Sequence, residues 1–338
     1  MRTFLFALLF FSALSQGAVV LQYHHVDSTT PAITSTDPEI FRQHLNYIET
    51  ADLTVVALSE IVRAPEIERD TRIAITFDDA YDNLLDTAIP DLVNRKWPFT
   101  IFVATEYVGR KGYLTWQQLQ EIEQLGGSIA NHTHSHLHMV RLNDSETHDD
   151  WINRLEAEIT KAQTKLERHL KQPVKHFAYP YGEYNEDVLT LVDRLGYVGF
   201  GQQSGAVGGL SDTRLLPRFP FSGIYANFDT FKVKVHTQAM PASVAFLEPL
   251  IADNPPTLTL KFENIDLLRL AQLRCYGPGG ETNLSQVSEQ TFIAVNKKPL
   301  PSGRSRYNCT MPIQNSAHYF WLSQLWIKKR ADGRWYPE

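Results

Sequence analysis

The strongest constraint on this chain is a repeated one. Short apolar runs stop abruptly at polar clusters, and helix-like stretches separate them. Residues 72–77 end at Asp78-Asp79, 127–130 open into Asn131-His132-Thr133-His134, 175–179 meet Pro180-Tyr181-Gly182, and 19–23 close on His24-His25. Runs at 99–104 and 197–201 have the same character. Between them, Asp37 can cap a helix with Pro38 at its first position and Phe41, Leu45 and Ile48 on one face. Thr115 and Gln118 form a capping-box pattern for a helix over 116–125, stopped by Gly126-Gly127. A longer helix is read over roughly 146–171, with Ile152, Leu155, Ile159, Leu166 and Leu170 at helical spacing. Strand–helix alternation predicts an α/β fold with a parallel sheet or barrel. In such folds chemistry collects at the carboxyl ends of strands, where these polar clusters lie.

With 338 residues, the chain is long for one core and calls for a large domain plus a smaller one. The pattern changes near Asn254-Pro255-Pro256. Beyond it residues 257–263 alternate, with Leu258, Leu260 and Phe262 on one face, and 290–295 and 319–327 also read as strands. Asp332-Gly333 reads as a hairpin turn. The division is therefore 18–250 for the α/β domain and 254–338 for a small all-β, sandwich-like module. Residues 1–17 read as a secretory signal peptide: Arg2, an apolar run over 4–14, then Ser15, Gly17 and Ala18. That implies a secreted or periplasmic protein. The two cysteines, Cys275 and Cys309, both fall in the β module, where export favours a disulfide. A net charge of −6 gives no basic excess for nucleic acid, and no later stretch is apolar enough to span a membrane.

Three clusters carry chemistry. Two adjacent carboxylates, Asp78 and Asp79, repel in a shared cleft unless a cation or proton resolves them, although an Asp pair after a strand also serves as a turn or cap. In the run 131–138, histidines alternate. His132/His136 and His134/His138 are each spaced to place two imidazoles on one metal, and a solvated His-rich loop is the alternative. The turn at Pro180-Tyr181-Gly182 is rigid enough to aim a backbone N–H at an oxyanion.

In this order and spacing, Thr76-Phe77-Asp78-Asp79, His132-Thr133-His134-Ser135-His136 and Phe177-Ala178-Tyr179-Pro180-Tyr181-Gly182 resemble the motifs of the polysaccharide deacetylases with a NodB-type domain, carbohydrate esterase family 4. The resemblance covers roughly 19–240. It implies a distorted (β/α) barrel, Asp78 as catalytic base, Asp79, His132 and His136 as metal ligands, and the Tyr181 N–H at the oxyanion. Two positions depart from the pattern. Ala178 stands where an arginine usually orients the base, with Arg218 as a substitute from another strand or else a surface residue. The late general-acid histidine has no match, since His236 lacks an apolar strand end. Gln22-Tyr23-His24-His25-Val26 resembles the start of a permuted branch that includes poly-β-1,6-N-acetylglucosamine deacetylases, and points to His24 as the acid, with His25 on the opposite side of its strand.

The implied reaction is metal-dependent removal of N-acetyl groups from an N-acetylglucosamine polysaccharide or oligosaccharide. Zinc suits a carboxylate and two imidazoles; cobalt, nickel and iron are compatible. Asn131, Trp116 and Tyr179 lie near the cleft in sequence but read as core or turn residues. Two other readings are a carbohydrate-binding protein on an inactive scaffold and a cyclic amide hydrolase of related fold. Intact metal and base positions argue against the first, and export argues against the second.

Overall fold

The computed structural model describes residues 17–63 and 72–337. The signal-peptide reading of 1–17 therefore falls almost wholly outside the described residues. Among these, no helix is long and apolar enough to cross a membrane.

The larger domain is built on parallel strands β1 (Val19–Tyr23), β2 (Arg72–Asp78), β3 (Phe99–Val103), β4 (Gly127–Asn131), β5 (His176–Ala178), β6 (Val198–Phe200) and β7 (Phe219–Pro220). Their order is β7-β1-β2-β3-β4-β5-β6, with the short strand Thr54–Val55 added against β2. A parallel bridge from Phe200 to Leu216 carries β6 back towards the segment holding β7, so the sheet curls into a distorted (β/α) barrel. Helices α1 (Pro38–Thr50), α2 (Leu58–Arg63), α3 (Ala88–Asn94), α4 (Trp116–Gln124), α5 (His148–His169), α6 (Glu186–Arg194) and α7 (Phe228–Lys234) connect the strands or follow the last of them. The caps form as the sequence predicts: Asp37 accepts from the Glu39 N–H, and Thr115 and Gln118 make a reciprocal box.

Period-two alternation sorts the strand residues. Leu21, Tyr23, Ile73, Ile75, Phe77, Ile101 and Phe219 join one apolar core with the helices. Val20, Ala74, Phe102, Ala130, Ala178, Phe200 and Leu216 form another, inside the barrel. Gln22, Thr76, Asp78 and Thr100 share the parity of this inner set on their own strands, and Arg218, just before β7, shares that of Leu216. All five are buried.

The second part is all β. One sheet contains β8 (Gln238–Ala239), β11 (Arg274–Gly277), β12 (Gly280–Glu281), β15 (Gly303–Pro312) and β16 (Tyr319–Lys328); the other contains β9 (Ala242–Ser243), β10 (Thr257–Phe262), β13 (Asn283–Ser288) and β14 (Thr291–Val295). Both contribute to one core, including Leu258, Leu260, Phe262, Tyr307, Met311 and Trp326. Cys275 and Cys309 sit directly opposite on β11 and β15 and are joined by a disulfide. The sheets take in Gln238 to Ser243, upstream of the Asn254-Pro255-Pro256 stretch. Asp332-Gly333 lies in a chain-reversing turn, as expected, with Gly333 N–H bonded to Arg330 O and Arg330 N–H to Arg334 O, although among the described residues no strand follows it. The β part packs directly against the barrel. Leu325, Ile327 and Tyr336 pack with Phe177, Tyr179, Tyr184 and Val188 in a shared core.

Candidate active site

The site forms where β1, β2, β4 and β5 end. Asp78 is the last residue of β2 and keeps the inward parity of Ala74 and Thr76. An extended chain would aim Asp79 at the opposite face. Instead Asp79 and Ala80 are both left-handed, with φ of 72° and 61°, and this turn lets the two neighbouring carboxylates serve one cleft. Such residues cost about 1–3 kcal/mol each and persist where the surroundings over-determine them.

The histidine loop is built by short side-chain caps. Asn131 Oδ1 accepts from the Thr133 N–H at 2.9 Å, and Thr133 Oγ1 accepts from the His136 N–H at 3.0 Å. Thr133 and His136 are left-handed. The turn brings His132 and His136 together, with Asp79 Oδ1 3.5 Å from His132 Nε2 and 3.4 Å from His136 Nε2. One ligand atom from each of the three lies within 4.8 Å of the others. His134 and His138, the alternative pair, are used elsewhere: His134 Nδ1 meets Thr105 Oγ1 at 2.9 Å, and His138 Nδ1 meets Glu183 at 2.7 Å.

The donor set fits a divalent cation. His132 Nδ1 donates to the Ala178 carbonyl at 2.7 Å, which leaves Nε2 as the bare nitrogen. That atom is buried and has no hydrogen-bond partner. Burial pushes the His136 imidazole down to about 4, against the pull of Asp79, so its ring is neutral and offers a lone pair. For Asp79, burial raises the carboxyl, but His136, His24 and His132 together hold it below the ordinary range.

Asp78 has different company. Arg218, fully buried, donates from Nη1 to Oδ1 at 2.7 Å and from Nη2 to Oδ2 at 2.8 Å, and its Nε–H donates to the Gly201 carbonyl at 2.9 Å. Gln22 Nε2 adds a bond to Oδ2 at 2.6 Å. Burial alone would raise this carboxyl; the Arg218 charge, with His132 and the Arg218 hydrogen bonds, holds it well below the usual range. Arg218 is thus an interior residue, not a surface one. The parity of Leu216 and Arg218 against Phe219 was a usable signal. Gln22 was missed, although it shares a strand face with Val20 and His24.

His24 Nε2 lies 4.0 Å from Asp78 Oδ2 and the ring is partly exposed. His25 turns away, stacking on Tyr81 at 3.5 Å and meeting Asn83. His236 engages Tyr47 and stacks on His318. Tyr181 is left-handed at φ 59°, with its ring edge-on to His136 at 4.5 Å. The next residue is Gly182, where a Cβ would lie 2.6 Å from Gln202. Asn131, Trp116 and Tyr179 have structural partners: the Ile159 carbonyl, the His169 ring and the Arg214 carbonyl.

Residues 66–200 match the family described as polysaccharide deacetylase. Bacillus subtilis YxkH, named for that family, is 26% identical over 191 residues, which cover 55% of this chain and 65% of that protein. The chain thus spans just under two thirds of this relative. The poly-beta-1,6-N-acetyl-D-glucosamine N-deacetylase of Staphylococcus epidermidis is 25% identical over 225 residues, 60% of this chain and 78% of that one. The solved structure of IcaB from Ammonifex degensii superposes with a TM-score of 0.55 at 22% identity, over 64% of this chain and 94% of that one, and shows the shared fold. Over these residues the chain is similar to the polysaccharide deacetylase family, and it shares the distorted barrel fold of the solved structure.

Proposed function

We propose that this protein is an exported, metal-dependent deacetylase that removes N-acetyl groups from an N-acetylglucosamine polysaccharide or oligosaccharide. One observation carries the reading: Asp79, His132 and His136 converge at a strand end beside a second carboxylate, Asp78, held ionised by Arg218.

Asp79, His132 and His136 would hold the ion, with zinc the first choice and cobalt, nickel or iron compatible with the same donors. A divalent ion there supplies Lewis-acid polarisation of the amide carbonyl and acidifies a water molecule. Asp78 takes the proton from the attacking water, its carboxylate oriented by Arg218 and Gln22. The Tyr181 N–H donates to the developing oxyanion, in a turn whose backbone is already set. His24, beside Asp78 and reachable from the cleft, gives a proton to the leaving nitrogen, which cannot depart as an amine anion.

The name of the staphylococcal relative supports poly-β-1,6-N-acetylglucosamine as the first polymer to test. The N-terminal apolar run supports export, to the periplasm or beyond. The test is acetate release from N-acetylglucosamine oligomers by protein loaded with zinc, cobalt, nickel or iron, and by chelated protein. Release that needs metal is expected. A metal-loaded protein that binds the oligomers without releasing acetate would be a binding protein, and one that opens cyclic imides instead would be a small-amide hydrolase.

A further inference from the structure

The turn that carries Tyr181 is gripped by residues from the β part of the chain, beyond the region that matches the family. Glu183, two residues after Tyr181, is fully buried. Its Oε2 accepts from His138 Nδ1 at 2.7 Å, and its Oε1 accepts from the Tyr336 hydroxyl. Arg304, on β15, lies 3.7 Å from that second oxygen and donates to the Tyr181 carbonyl at 3.1 Å. The Arg304 guanidinium also lies over the Tyr181 ring at 5.2 Å, and His138 stacks on the same ring at 3.8 Å with planes 8° apart.

A non-glycine residue does not hold a left-handed backbone unaided, and a buried carboxylate demands partners. Here the two requirements meet each other. Glu183 collects donors from the histidine loop and from the β part, and the same Arg304 fixes both the carbonyl and the ring of Tyr181. We infer that Arg304 and Tyr336 are positioning residues of the active centre. Through Glu183 and the Tyr181 carbonyl they keep the Tyr181 N–H aimed for catalysis, so the β part completes the site. The catalytic half of this inference rests on the deacetylase reading; the clamp itself does not.

The experiment uses the whole chain with Tyr336→Phe, Arg304→Ala, Arg304→Lys and, as a control in the same β sheet, Arg274→Ala. Hydrogen–deuterium exchange over residues 179–184 reads the clamp without any substrate. Faster exchange is expected in Tyr336→Phe and Arg304→Ala, with zinc content unchanged. In acetate release, kcat should fall about ten- to a hundredfold in these two, as small misplacements do, with KM nearly constant. Arg304→Lys should recover part of the loss, and Arg274→Ala should match the unaltered protein. Unchanged exchange in both variants overturns the clamp. Faster exchange with unchanged kcat overturns its catalytic role. If the unaltered protein releases no acetate, the deacetylase reading fails, and the exchange result still decides the clamp.

Discussion

The barrel mouth and the core of the β part are buried to a similar degree but filled with opposite chemistry. At the mouth, Gln22, Thr76, Asp78, Asn131, His132 and Arg218 are almost wholly removed from water. The β core is Leu258, Leu260, Phe262, Tyr307, Met311 and Trp326, stapled by Cys275–Cys309. Burying a charge is unfavourable unless it is matched, so each group at the mouth depends on a named partner. In the β core, apolar area contributes stability without regard to direction. Substitutions at the mouth should therefore change chemistry, and substitutions in the β core should change stability.

The largest effect should come from the proposed ligands. Asp79→Ala, His132→Ala or His136→Ala should each sharply weaken metal binding and abolish acetate release; full zinc occupancy in His132→Ala would break the assignment. Next comes Asp78→Asn, which removes the proposed base and leaves the trio intact. It should retain metal while kcat drops by about 10²–10⁴-fold. If metal content falls as far as in Asp79→Asn, the two carboxylates have been given the wrong roles.

On the other side of the comparison, replacing Cys275 and Cys309 together by Ser should lower unfolding stability by about 2–4 kcal/mol. The folded fraction should keep near-normal kcat, measured by denaturant titration alongside acetate release. A large loss of kcat in fully folded protein would erase the contrast between the regions.

Per pH unit and per histidine, the smallest effect comes in acid. Burial pushes His44 down to about 4, and Lys234 nearby pushes the same way; its Nε2–H donates to the Ala226 carbonyl and Nδ1 accepts from Tyr23. His176 is also held at about 4 by burial, with Arg63 acting in the same direction. An unfolded histidine titrates near 6.5, so between about 6.5 and 4 the unfolded chain binds more protons. Stability is fully present above that window and is lost as pH falls through it, by up to about 1.4 kcal/mol per pH unit for each histidine. Thermal midpoints from pH 7 to 4 should show this slope, and His44→Gln should flatten it. An identical slope in that variant would assign the acid sensitivity elsewhere.

Much of the site could be read from sequence because strand ends and histidine spacing are local. The Asp78-Asp79 pair and the His132/His136 pair needed only the turn residues around them. The choice of His132/His136 over His134/His138 came from the resemblance, and the physical reason appears only in three dimensions, where Thr105 and Glu183 occupy the other two rings. Arg218 was ambiguous because prolines at 217 and 220 disguise a very short strand. Strand β15 went unread although Ser305, Tyr307, Cys309 and Met311 alternate inward, since two of its inward residues are polar or small. The grip of Arg304 and Tyr336 on Glu183 had no sequence signal at all, because it joins segments far apart in the chain.

One feature of the sheet bears on how the molecule is made. Strand β1 lies between β2 and β7, with Leu21 in register with both Ile75 and Phe219. The segment that supplies Gln22 and His24 thus has one neighbour synthesised early and another that emerges only near the end of the barrel. Contacts this distant in sequence carry a loop-closure entropy that must be met before they stabilise anything, and they slow folding. Arg218 arrives with β7, so Asp78 acquires its guanidinium at the step that closes the barrel. Until then Asp78 lacks its fixed partner, so the setting of this carboxylate coincides with completion of the fold.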